Sequence, residues 1–164
     1  MSVDLAVWEG SQPAGDSEAV AAFEELCARF LNGPKSPPTN AIADYVSVLV
    51  RRYPDLSEDD GEVVPWGSGH LIENASGPVV YIDMKLNSVF QEGWRYCVET
   101  ARTHGLVAFD PQSGTLALPD PTAARTLSPS GDGRKGGPVY RWVSLRSWRW
   151  PFLRPLLPLF RRFL

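Results

Sequence analysis

Two cysteines and two histidines are all that this chain of 164 residues offers to thiol chemistry and to soft-metal coordination. A structural zinc site needs four such ligands at short paired spacings, and Cys27, Cys97, His70 and His104 stand at no such spacing. The same scarcity excludes a disulfide framework. Both cysteines fall on the apolar side of expected helices, so two buried thiols are the expected state, with a disulfide between them left geometrically open. No run of about 18 apolar residues occurs, so no membrane-spanning helix is expected. Residues 1–10 contain acid, no basic start and no long apolar stretch, so no signal peptide is expected and the cytoplasm is the default compartment.

Each end of the chain is poor in charge of one sign. Residues 1–120 hold 18 acidic and 7 basic side chains, near −11 net, whereas residues 121–164 hold 1 acidic and 9 basic, near +8. The total of −3 conceals both. This divides the chain into an acidic domain over 1–119, a linker rich in Gly, Pro and Ser over 120–138, and a basic aromatic tail over 139–164 that is expected to be poorly ordered. A hydrophobic content of 43% suffices for a real core.

Periodicity gives the expected fold. Residues 3–8 alternate as a strand, with Val3, Leu5 and Val7 on one face and Asp4, Ala6 and Trp8 on the other. Residues 17–31 repeat apolar side chains at three and four and read as a helix stopped by Asn32-Gly33. A second helix runs from a cap at Thr39 or Asn40 to Tyr53, where Pro54 ends it. Residues 79–86 alternate as a strand. Ser88 and Gln91 form a capping-box pair that opens a third helix, closed by His104-Gly105. Two short strands follow at 106–109 and 115–118. The order β-α-α-loop-β-α-β-β predicts a small two-layer α/β sandwich with a mixed sheet of three to four strands and its helices on one face. The strands at 79–86 and 106–109 should be parallel and joined by a right-handed crossover.

The connection over 55–78 is long, at about 24 residues, and loops beyond about 12–15 residues tend to carry function. It holds Asp55, the run Glu58, Asp59, Asp60 and Glu62, then Trp66 and His70. The run lacks the spacing of a calcium loop and reads first as a solvated acidic turn that a basic partner could meet. Trp66 reads as a plug pinning the loop to the core, or as a partner anchor if exposed. His70 has no second ligand or nucleophile at a diagnostic distance, so a small enzyme built on the Trp66–His70 loop is the weaker alternative. No serine sits in a nucleophile elbow and no glycine-rich stretch has phosphate-loop spacing. Asp83 and Glu99 would form a carboxylate pair only if the fold joined them. No catalytic residue, metal or cofactor is expected.

The tail interleaves arginine with tryptophan, including Arg141, Trp142, Arg146, Trp148, Arg149 and Trp150. This mixture suits an anionic membrane surface, docking on the chain's own acidic body, or single-stranded nucleic acid. The acidic body disfavours nucleic acid, because it repels phosphate. An extension without a selected role, such as a shifted reading frame, has the same composition.

From residue 2 to about 119 the chain resembles a family of small actinobacterial proteins of uncharacterised role. The residues carrying this are Asp4-Leu5-Ala6-Val7-Trp8-Glu9-Gly10, Tyr53-Pro54-Asp55-Leu56, Pro65-Trp66, Gly105-Leu106-Val107 and Phe109-Asp110-Pro111-Gln112. Related-looking sequences are similar to immunity proteins, which bind and block a bacterial toxin. The resemblance therefore implies a non-enzymatic protein that binds a basic partner such as a cognate toxin. It stops near Asp120 and does not reach the tail.

Overall fold

A computed structural model describes residues 2–56 and 63–120. It is a small α/β fold, built from β1 (Ser2–Trp8), α1 (Asp16–Leu26), α2 (Asn40–Arg52), β2 (Ala75–Ser76), β3 (Val79–Lys85), α3 (Phe90–Thr103), β4 (Val107–Asp110) and β5 (Thr115–Leu116). The sheet order is β2-β3-β1-β4-β5.

The sheet corrects the expectation of three to four strands in mixed pairing. It has five strands, and every neighbouring pair is antiparallel. β1 inserts between β3 and β4, pairing with β3 from Ser2↔Lys85 to Trp8↔Val79 and with β4 from Ala6↔Phe109 to Trp8↔Val107. Being antiparallel to the same strand, β3 and β4 run parallel to each other, as the crossover requires, without touching as neighbours. The physical reason lies in β1: Leu5, Ala6, Val7 and Trp8 are all buried. A strand apolar on both faces belongs in the middle of a sheet, covered on both sides.

That double burial also corrects the placement of all helices on one face. Leu5 and Val7 join Ile42, Tyr45 and Leu49 of α2 and Trp94, Cys97 and Val98 of α3 in one core. Ala6 and Trp8 join Ala19 and Phe23 of α1, with Val79, Val107 and Phe109, in a second core on the opposite face. Phe23 is the centre of that second layer, its ring 5.2 Å from Phe109 and 6.4 Å from both Trp8 and Tyr81.

Local signals set most element ends. Thr39 Oγ1 accepts the Ile42 amide at 3.4 Å and caps α2. Tyr53, with φ −130, leaves the helical region before Pro54. The expected helix over 17–31 is α1 followed by a π-helical turn, Cys27–Leu31, in which the Asn32 amide donates to Cys27 O at 2.8 Å. The capping box at Ser88 and Gln91 does not form. Asn87 replaces it, accepting the Val89 amide at 3.2 Å while its side-chain amide donates to Val64 O at 2.8 Å. At the other end Gly105 takes φ 67, and the Leu106 amide returns to Ala101 O at 2.8 Å. His104 closes the same end, its Nδ1–H donating to Thr100 O at 2.9 Å.

Both cysteines are free, Cys97 buried and Cys27 half-buried. Burial pushes the Cys97 thiol up to about 12 and the Cys27 thiol up to about 11, so neither is a ready thiolate. No helix among the described residues is long and apolar enough to cross a membrane.

Candidate functional site

The described parts of the 55–78 connection are fixed to the body by backbone and side-chain bonds. Residues 64–67 run antiparallel along β3, with a bridge at Trp66↔Met84. Lys85 N donates to Pro65 O at 2.8 Å, and Gly67 N donates to Asp83 O at 2.6 Å. β2 covers the other end of the same β3 edge. Together they close an edge that would otherwise offer unpaired amides to another chain.

Asp55 divides its carboxylate between two tasks. Oδ1 accepts the Leu71 amide at 3.0 Å, and Oδ2 meets His70 Nδ1 at 3.2 Å. The first bond starts the 3-10 turn Leu71–Asn74, in the manner of a helix cap. The second orients the imidazole, whose side chain is 64% exposed against 23% for Asp55. A carboxylate holding a histidine ring is half of a general-base arrangement. The other half is missing: among the described residues, His70 bonds to no hydroxyl or thiol. Ser68, two residues away, instead accepts the Asn74 side-chain amide at 2.9 Å. The Lys35 ammonium binds Glu73 O and ties the turn to the segment before α2.

Trp66 is wholly buried and so cannot be the exposed anchor of a contact patch. Its indole N–H donates to Tyr53 O at 2.9 Å, and its ring meets Tyr53 edge-on at 5.9 Å. It is the plug. Its neighbours explain the burial: bonded to β3 on either side of Met84, the segment turns this side chain onto the α2–α3 face, where only an apolar ring with a partner for its N–H fits. Of the expected contact residues, Asp55 and His70 come together at the surface. Glu58, Asp59, Asp60 and Glu62 lie outside the described residues, as do Arg141, Trp142, Arg146, Trp148, Arg149 and Trp150.

A second charged cluster was missed by sequence reasoning. Asp83 does not pair with Glu99; it stands directly opposite Asp4 across β1 and β3. Tyr81, opposite Ala6, stands on the same sheet face, and its phenol favours the ionised Asp4 carboxylate. Gln112, in the turn between β4 and β5, places its side-chain amide 3.2 Å from Ser2 O and 3.5 Å from Asp4 Oδ2. Burial, then the charges of Asp83 and Asp110, raise the Asp4 carboxyl above its ordinary value, against the opposing bonds from Tyr81 and Gln112. The signal was present in the alternation, which put both Asp4 and Asp83 on a strand face; only the register was lacking.

Among the described residues no three His, Cys, Asp or Glu side chains converge to hold a metal ion. Acids nevertheless dominate the surface around α1. Glu9, Asp16, Glu18, Glu24 and Glu25 are exposed, and no lysine or arginine precedes Arg29. Comparison with protein-family models, with curated proteins and with solved structures found no match to this chain.

Proposed function

We propose that this chain is a non-enzymatic binding protein whose acidic body receives a basic protein, in the manner of an immunity-type inhibitor bound to its toxin, and that it works in the cytoplasm. The observation that carries this reading is the imbalance of 18 acidic against 7 basic side chains over residues 1–120. A field of one sign steers an oppositely charged partner into encounter and fixes its register, without any motif. Among the described residues, the exposed acids Asp16, Glu18, Glu24 and Glu25 of α1 supply charged surface of the same sign.

The experiment is a pull-down from the native host with the full chain, washed at low and then at high salt and read by mass spectrometry. One basic protein held at low salt and released at high salt supports the reading; retention of nothing specific removes it. A second reading rests on a separate observation, the six arginines without an acid over 139–164. Those side chains, among tryptophans, would attach the protein to anionic lipid at about 1 kcal/mol per basic residue near the surface. Flotation with anionic and neutral vesicles distinguishes the two: binding to the anionic vesicles alone places the function in the tail.

A further inference from the structure

Between α1 and α2 the main chain is fastened at two points. At the first, the Asn32 amide donates to Cys27 O at 2.8 Å and closes the π-helical turn. At the second, the Ser36 amide donates to Ser76 Oγ at 3.1 Å, while Ser36 O accepts the Gly77 amide at 3.2 Å. Among the described residues, no hydrogen bond engages the main chain of Gly33, Pro34 or Lys35 between them. Asn32 is exposed, and its side-chain amide bonds to none of the described residues.

The other asparagines are placed differently. Asn74 donates to Ser68 Oγ at 2.9 Å, and Asn87 uses both ends of its side chain, on Val64 O and on the Val89 amide. Asn40 is the first residue of α2 and is followed by Ala41. Asn32 alone precedes a glycine. The main-chain nitrogen after an asparagine can attack the side-chain carbonyl carbon and close a cyclic imide. A Cβ on the attacking residue hinders that approach, and glycine has none. Here the turn itself favours glycine, since a Cβ at Gly33 would stand 3.0 Å from Arg29 O. The observed ψ of −5 at Asn32 keeps the Gly33 nitrogen turned away from Cγ, so the attack needs rotation about the Asn32 Cα–C bond. The bond from the Asn32 amide holds the chain before that rotation, and the next fastening, at Ser36, lies beyond Gly33, whose backbone absorbs the change.

We propose that Asn32-Gly33 is a site of self-modification by deamidation. The Gly33 nitrogen loses its proton to water or hydroxide and bonds to Asn32 Cγ; the Cγ–Nδ2 bond breaks, and the nitrogen takes a proton and leaves as ammonia. Water then opens the imide. Cleavage at the side-chain carbonyl gives aspartate, and cleavage at the main-chain carbonyl gives isoaspartate. Either product adds a negative charge at the carboxyl end of the π-helical turn, where the helix carbonyls already concentrate negative charge. Isoaspartate also inserts a methylene into the main chain ahead of the Ser36 bonds to Ser76 and Gly77. The reaction is thus a one-way change that makes the acidic body more acidic and weakens the end of the turn as the molecule ages.

The test is incubation of the full chain at neutral and at mildly alkaline pH, with samples taken over time for proteolytic peptide mapping by mass spectrometry. The peptide holding Asn32 should convert from amide to acid ahead of those holding Asn40, Asn74 and Asn87. Conversion should be faster at the higher pH and should yield isoaspartate as well as aspartate. In Asn32→Gln, where the same attack would need a larger ring, the amide should persist over the same period. An Asn32 amide that survives the incubation, or is lost no faster than the other three, overturns the proposal. So does aspartate formed without isoaspartate, which would mean direct hydrolysis by water.

Discussion

Trp66 donates its indole N–H to the carbonyl oxygen of Tyr53 at 2.9 Å, which joins the connection after α2 to the end of α2 itself. The bond and the edge-on ring pair place Trp66 at the seam of β3, α2 and α3. Trp66→Ala should therefore cost about 3–5 kcal/mol, the range for deleting a large buried ring. Trp66→Phe keeps most of the apolar volume but leaves Tyr53 O without this donor, and should cost about 1–3 kcal/mol. Urea denaturation of the two variants checks both values. A Trp66→Ala variant as stable as the parent would return this side chain to the contact surface.

Asp55 and His70 should separate in the same assay. Asp55→Ala removes the acceptor of the Leu71 amide and should lose about 0.5–2 kcal/mol, as cap removals do. His70→Ala removes an exposed ring and should change stability by less than about 0.5 kcal/mol. Equal costs for the two would mean that the ring, and not the amide bond, holds the turn.

What the chain's own pattern disclosed, and what it hid, follows from the range of the forces involved. The three helices and the strands at β1, β3 and β4 were legible, because a stripe of period 3.6 or 2 is a local property. Thr39 and Gly105 were legible as ends for the same reason. The central position of β1 was not read, although the clue stood in Leu5-Ala6-Val7-Trp8, where alternation gives way to apolar residues on both faces. That run demands a central strand with cover on each side, and hence α1 on the face opposite α2 and α3. β2 and the bridge at Trp66 were hidden in a long connection because they exist by pairing with β3, and Pro65 and Gly67 carry no strand propensity. At the candidate site, Trp66 as a plug was legible from its size, whereas the Asp4–Asp83 pair needs a register between residues 79 positions apart in sequence. The acids at 58–62 and the arginines of the tail remain outside the described residues.

Gly67 should tolerate no side chain while Asp83 is present. A Cβ at this position meets Asp83 Cγ and Oδ2 at 2.5 Å. Gly67→Ala should then destabilise the fold by about 1–3 kcal/mol, the usual cost of overpacking. In an Asp83→Ala background the same substitution should cost far less, because the obstructing carboxylate is gone. The coupling between the two changes is read from a double-mutant cycle by denaturation. Simple additivity would show that the obstruction lies elsewhere.

Charge reversal in the acidic run tests the proposed contact directly. Asp59→Lys together with Asp60→Lys should weaken capture of a basic partner and flatten its dependence on salt, since surface charges act mainly on association rate. Surface plasmon resonance at several ionic strengths separates the on-rate from the off-rate. An unchanged affinity moves the contact to the exposed acids Glu18 and Glu24 of α1, where the same reversal should then show the effect.

The Asp4 carboxyl gives stability a definite dependence on pH. Burial is the largest cause of its raised pKa, followed among the raising effects by Asp83 and Asp110, so the folded chain binds this proton more tightly than the unfolded chain does. The stability this supplies is fully present below the unfolded value near 3.8 and is lost as pH rises through the raised folded value. At neutral pH the ionised Asp4 is therefore a net cost. Asp4→Asn removes the charge while keeping an acceptor for Tyr81 and Gln112, and should raise stability at neutral pH by about 0.2–1 kcal/mol, the scale of a cross-strand charge pair. The advantage should shrink as the solution is acidified and vanish once Asp4 is protonated in the parent. Glu92 works in the opposite sense, its pKa lowered by the Arg52 guanidinium, but it is present in both proteins and cancels in the difference. Denaturation curves of parent and variant across the acid range measure that difference directly. A variant less stable than the parent at neutral pH would mean that the bonds from Tyr81 and Gln112 to the carboxylate outweigh its burial and the repulsion from Asp83.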